Sequence, residues 1–177
     1  MVTPHMSDET TIALALTMLR GVLGAVMLAH GINHIIGGGK ITGTAGWFES
    51  LGMRPGKLHA WLASLTEIAC GALLIAGWFT SLAAGGALGV MVVAWITNHR
   101  GNGFFTFRPG EGWEYVMVLS VVSLAIGALG AGEWSLDRVS DWDVFVGASG
   151  LGITAAAGLG GAALLLAVFW RPPASSD

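Results

Sequence analysis

Charge is what this sequence has least of. Only 11% of its 177 residues are Asp, Glu, Lys or Arg, against about 25% in an ordinary soluble domain. So few charges cannot clothe a water-facing surface, which excludes a conventional soluble globule. Cysteine is almost missing as well, since Cys70 stands alone inside an apolar run. An internal disulfide, a CxxC redox pair and a cysteine zinc site are thereby excluded, and a lone apolar-embedded Cys reads as a small packing residue. The eight Lys and Arg are scattered and the net charge is −3. No basic stripe forms, so nucleic acid is not an expected partner. Met1 to Thr11 contains Asp8 and Glu9 but no Lys or Arg. A secretory signal needs a basic start and a small-residue cleavage site; the first apolar run is therefore expected to stay as a membrane helix.

Apolar residues, by contrast, make up 54% of the chain, with a mean hydropathy of +0.70. They fall in long blocks instead of the short alternating runs of a soluble core. Lipid as the solvent explains both the blocks and the missing charge. Five blocks stand out, at about Ile12–Ile36, Leu58–Phe79, Leu82–Thr97, Trp113–Leu129 and Val146–Trp170. Each is near the length of roughly 20 residues that spans a bilayer. The fold class expected is an all-α integral membrane helical bundle. Gly37–Gly56, Asn98–Gly112 and the acidic stretch Gly132–Asp143 read as linkers, and Thr80-Ser81 as a tight hairpin. A short surface helix is expected around Trp134 to Phe145, where aromatic residues favour the membrane interface.

Basic residues predict the orientation. Lys40, Arg54, Lys57, Arg100, Arg108 and Arg171 fall on one side, Arg138 alone on the other, and Arg20 within a span. Lys and Arg accumulate on the cytoplasmic side. The expectation is a multi-pass protein of the inner (plasma) membrane, with its N-terminus outside and its C-terminus in the cytoplasm. The glycines inside the spans, Gly85, Gly86, Gly89, Gly158, Gly160 and Gly161, suit close packing of helix backbones in lipid.

Ionisable groups at bilayer depth are expensive and point to special pairing or to function. Arg20 lies nine residues beyond Thr11 and Glu67 nine beyond Leu58, each about 13 Å into its helix. Both then fall near the middle of a core about 30 Å thick. An Arg20–Glu67 ion pair is expected, either as a structural pair that fixes helix register or as part of a polar pocket that holds a head group or relays protons. Arg20, Gly24, Met27, Gly31 and His34 recur at spacings that share one helix face. His30, His34, His59, His99 and Glu114 gather toward one end of the bundle. His30 and His34 with His99 and Glu114 offer a weak metal or haem pattern. The alternative is neutral histidines bonded to a carbonyl, a carboxylate or a quinone oxygen, and no metal is assigned. His5 and His59 are expected near water. No nucleophile–base constellation is visible.

An ordered series of residues resembles the DoxX family of small bacterial membrane proteins. It runs from Leu19-Arg20, Gly24 and His30-Gly31 through Trp47-Phe48 and Leu51-Gly52 to Glu67, Gly71, Leu73-Leu74 and Gly77. Asn102-Gly103-Phe104-Phe105, Glu114-Tyr115, Gly130-x-Gly132 and Ser135-Leu136-Asp137 complete it. The resemblance implies a four-helix membrane core and an association with redox and sulfur metabolism, the family being named through likeness to a subunit of a thiosulfate:quinone oxidoreductase. His34 stands where the family often has Lys. From about Asp141 onward the chain is an addition. The organisation expected is a tail at 1–11, a four-helix domain at 12–137, an outer loop and fifth transmembrane helix at 138–170 and a tail at 171–177.

The function so implied is a membrane subunit of quinone-linked redox metabolism. Arg20, His30, His34, Glu67, His99 and Glu114 would bind a quinone-like or other lipophilic molecule. No covalent cofactor is expected, only a bound quinone. The partners would be the lipid bilayer and a larger respiratory or redox complex, or a homo-oligomer. A non-catalytic assembly or anchor subunit is the alternative, and a small lipid or ion transporter a third.

Overall fold

The computed structural model describes residues 7–173. Seven helices follow in order: α1 (Asp8–Ile36), α2 (Lys40–Ser50), α3 (Gly56–Ala76), α4 (Thr80–Ala94), α5 (Glu114–Leu129), α6 (Leu136–Val139) and α7 (Gly147–Phe169). A π-helical turn, Trp95–His99, extends α4. Four helices are long and apolar enough to cross a membrane: α1, α3, α7 and α4 with its π turn. The chain is a multi-pass membrane protein. α5 is a shorter apolar helix of 16 residues, or about 24 Å. The expected five apolar blocks are all present as helices. α2 was expected as a linker; it forms because Phe48 and Met53 pack on Ala60 of α3. The expected surface helix of the acidic stretch is reduced to the four residues of α6.

Lipid leaves no water for unpaired backbone groups, so each helix end needs a partner. α1 starts on Ser7, whose hydroxyl accepts the Thr10 N–H, with Asp8 and Glu9 in the first turn where the helix dipole favours acid. α3 ends at Gly77, left-handed at φ 64°. The N–H groups of Gly77 and Trp78 return to the carbonyls of Leu74 and Leu73, the Schellman arrangement.

α1, α3, α4 and α5 form the core. Leu23, Met27, Leu74, Ala84, Ala87, Met91, Val116 and Ile126 meet in its buried centre. The expected stripe of α1 is the face toward α3: Arg20, Gly24, Met27 and Gly31 are buried. A Cβ on Gly24 would stand 2.7 Å from the Gly71 carbonyl oxygen, and one on Gly71 2.7 Å from that of Gly24. The two backbones touch here, as small residues permit in lipid. α2 lies across one end of α3. At that same end the C-terminus of α7 is pinned to the α2–α3 loop, Arg171 N–H donating to Gly52 O at 2.9 Å and Trp170 Nε1 to Leu51 O at 2.9 Å. The opposite end of the bundle carries α6.

Arg20 lies toward the α6 end of the bundle, level with the end of α3. Its Nη1 donates to Leu74 O at 2.9 Å and Ile75 O at 3.3 Å, the last carbonyls of α3, and its Nη2 to Trp134 O at 2.8 Å. It is fully buried. The expected Arg20–Glu67 ion pair does not form. α1 begins at Asp8 and projects past the α3–α4 turn, so Arg20 meets the end of α3, and Glu67 lies seven residues, about 10 Å, further along. Asp137 is the mirror partner. Its two carboxylate oxygens accept the N–H groups of Phe79 at 2.7 Å and Thr80 at 2.9 Å, at the start of α4. Arg138, exposed beside it, bonds instead to Asp143 and Glu133, which raise its pKa above the ordinary value.

Asp137→Ala is expected to lower the thermal unfolding midpoint in detergent, at roughly 2–3 kcal/mol for backbone donors left buried and unpaired. Asp137→Asn, which retains one carbonyl acceptor, should lose less. An unchanged midpoint for the alanine variant, followed by circular dichroism, would refute the role given to this carboxylate.

Candidate functional site

A cavity of about 410 Å³ opens in the half of the bundle nearer α2. Its polar lining includes His30 and His34 of α1, His59 and Glu67 of α3, Asn98 and His99 of the π turn, Glu111 of the loop before α5, and Tyr115 of α5. Trp47 and Phe48 of α2, Met91 and Val116 supply apolar and aromatic wall, and Gly and Ala residues of α4 and α7 line the remainder. Ligand sites commonly have this make-up, a mostly apolar surface with a few convergent polar groups.

Glu67 is the buried carboxyl group of the cavity. It is 3% exposed. Its Oε2 lies 3.0 Å from His34 Nδ1, close enough for an ionic contact. No hydrogen bond forms across it, and neither atom has another hydrogen-bond partner among the described residues. The pair is thus near but unsatisfied. His30 Nε2 and the Tyr115 hydroxyl are 3.4 Å apart.

Neighbouring groups set two histidine tautomers. A carbonyl only accepts, so the contact of 2.8 Å between His99 Nδ1 and Glu111 O places a proton on Nδ1. His99 Nε2 is then an acceptor facing Asn98 Nδ2 at 3.4 Å. By the same logic His59 donates from Nε2 to Arg54 O at 3.4 Å. Its Nδ1 is a buried acceptor without a donor.

Of the six residues expected to bind a ligand, four line this cavity: His30, His34, Glu67 and His99. Arg20 and Glu114 do not. Arg20 is occupied at the end of α3, and Glu114 accepts the Thr106 N–H at 2.9 Å, bracing the loop ahead of α5. His59, expected near water, is 2% exposed and packs edge-on against Phe169. Tyr115 stands in the cavity where its neighbour Glu114 was expected. The signal for it was present, since the residue one position on from Glu114 is turned about 100° around the helix. Nothing in the sequence marks the π turn, although such turns recur at functional sites. His5 lies outside the described residues. Among the described residues no group of three or more His, Cys, Asp and Glu is placed to hold a metal ion, so the metal or haem pattern gains no support.

The DoxX family model matches residues 15–100. That stretch is similar to the DoxX domain. It covers α1 to α4 with the π turn, and it contains His30, His34, Glu67 and His99. The cavity residues Tyr115 and Glu111 and all of α7 fall beyond the match. No curated protein and no solved structure matches the chain.

A buried ion pair with poor geometry costs more desolvation than it returns. Glu67→Gln is therefore expected to leave the detergent unfolding midpoint unchanged or to raise it, and a His34→Leu, Glu67→Met double variant to raise it clearly. A midpoint lowered by several degrees in Glu67→Gln would mean that the carboxylate holds the fold together.

Proposed function

We propose that this DoxX-domain protein binds a quinone-like or other lipophilic ring in the cavity and serves as a membrane subunit of quinone-linked redox metabolism. The observation that carries the proposal is the unsatisfied His34–Glu67 pair in the cavity wall. Buried polar atoms are normally bonded, and two left open beside empty space fit a ligand with polar atoms of its own. A ring bearing oxygens would accept from His34 or the Tyr115 hydroxyl, or donate to Glu67 when it carries a hydroxyl. Phe48 and Trp47 would flank it. When bound, a quinone would supply the redox chemistry. The chain's part would be to hold the ring, keep water away and exchange a proton at Glu67 or His34. The sequence carries no redox-cofactor motif of its own, so electrons would come from a partner or from the substrate.

The membrane orientation belongs to the same proposal. With the N-terminus outside, the α2 end of the bundle and the cavity nearest it face the cytoplasm, following the basic residues there.

Two measurements test these statements. Solvent extraction and mass analysis of the detergent-purified chain should recover quinone, and His34→Ala and Glu67→Ala should each lower its yield about tenfold, the size of a lost charged hydrogen bond. No quinone in the unaltered chain, or equal yield in all three, would overturn the binding reading. For orientation, a membrane-impermeant maleimide applied to intact cells should label Val139→Cys, at the α6 end, and spare Phe107→Cys. The reverse pattern would invert the topology.

A further inference from the structure

The cavity is larger than a single ring requires. Its volume is about 410 Å³, whereas an engineered cavity of about 150 Å³ takes up benzene. The remainder runs along small residues of α4 and α7, among them Gly86, Gly89, Gly158, Gly161 and Ala162. These glycines are of two kinds. A Cβ on Gly158 would come within 2.7 Å of Gly85 O, and one on Gly89 within 3.2 Å of Gly158 O, so these positions let α4 and α7 touch. Gly161 is different. A Cβ there meets nothing within 4 Å, yet Gly161 lines the cavity. Helix packing does not call for glycine at this position, and glycine is a poor helix former. What its missing side chain leaves is room. Leu165, one turn further along α7, continues the apolar wall. The second observation is independent of these small residues. Glu67, 3% exposed, lines the same cavity with an Oε2 that no donor satisfies.

We infer that the small-residue wall of α4 and α7 holds the apolar tail of the molecule whose polar ring lies at His34 and Glu67. The ligand class is then an isoprenoid-tailed quinone, not a free ring. Gly161 determines that specificity by what it leaves open. The inference rests on the ring-binding reading above and adds the tail to it. A membrane acyl chain is the other apolar occupant with the same chemistry, and the test separates the two.

The unaltered chain in detergent is titrated with decyl-ubiquinone and with the tailless ring, 2,3-dimethoxy-5-methyl-1,4-benzoquinone, following quenching of tryptophan fluorescence, Trp47 being part of the wall. The decyl compound should bind more tightly. Gly161→Phe, which fills the space without meeting another atom at its Cβ, should weaken the decyl compound about tenfold and change the tailless ring by no more than about twofold. Gly161→Ala should bind both as the unaltered chain does. Equal affinity of the two quinones for the unaltered chain overturns the tail assignment alone and leaves the slot to membrane acyl chains. An equal loss for both, or for neither, in Gly161→Phe overturns it as well. Absence of any binding to the unaltered chain overturns the ring reading and this inference together.

Discussion

Backbone groups at the ends of buried helices cannot go unpaired in lipid, and the turn between α3 and α4 is where this constraint is met with charge. The end of α3 offers bare carbonyls and the negative end of a helix dipole; the start of α4 offers bare N–H groups and a positive end. Arg20 takes the carbonyls of Leu74 and Ile75. Asp137 takes the N–H groups of Phe79 and Thr80. Each charge thus answers a helix dipole of opposite sign, and each comes from a distant part of the chain. α1 is tied to α3 and the α5–α7 connection to the hairpin through one polar cluster. Gly77 completes it twice over. It adopts the left-handed turn, and a Cβ there would collide with the guanidinium of Arg20.

Committing Arg20 to the α3 terminus leaves Glu67 without a strong cation. Its nearest basic group is His34, 3.0 Å away with no hydrogen bond made. A structure selected for stability alone would place an apolar side chain here, because an imperfect buried pair gives back less than its desolvation costs. Two polar clusters at opposite ends of one bundle therefore differ in kind. The Arg20–Asp137 cluster lies at helix termini and makes the bonds that their carbonyls and N–H groups require, while Arg20 Nε and Thr80 Oγ1 have no partner among the described residues. The His34–Glu67 cluster leaves its bond unmade and borders a cavity. On the proposed reading, the first would serve conformation and the second ligand chemistry.

This division was only partly legible in the sequence. Hydropathy marked the helices well, because in lipid every spanning residue must favour the apolar phase and the signal accumulates over about 20 positions. The α1 stripe from Arg20 to Gly31 was legible for a related reason, since its spacing alone names a face. Depth was not. Counting residues inward from Thr11 and Leu58 put Arg20 and Glu67 level, but the count assumes that both helices start at the membrane edge, and α1 starts at Asp8. α2 was missed because Gly43 and Gly46 read as linker, while its helix is held by Phe48 packing on α3. His59 was misjudged because a helix start reads as an exposed position, yet α7 folds back to cover it with Phe169.

The cavity also crosses the boundary of the family match. Its imidazoles and Glu67 come from within residues 15–100, while Glu111 lies beyond them. Tyr115 comes from α5, and the open glycine wall from α7, both beyond it. α7 was expected as an addition to the four-helix core. Its Gly158 meets Gly85 of α4, and Thr154 donates to Ser81 O at 2.8 Å. The helix is thus built into the wall of the cavity, while its other face remains to lipid. Polar chemistry and cavity shape consequently sit on different parts of the chain. On the proposed reading, substitutions in α1 and α3 would act on what the cavity can bond, and substitutions in α7 on how long a molecule it can admit.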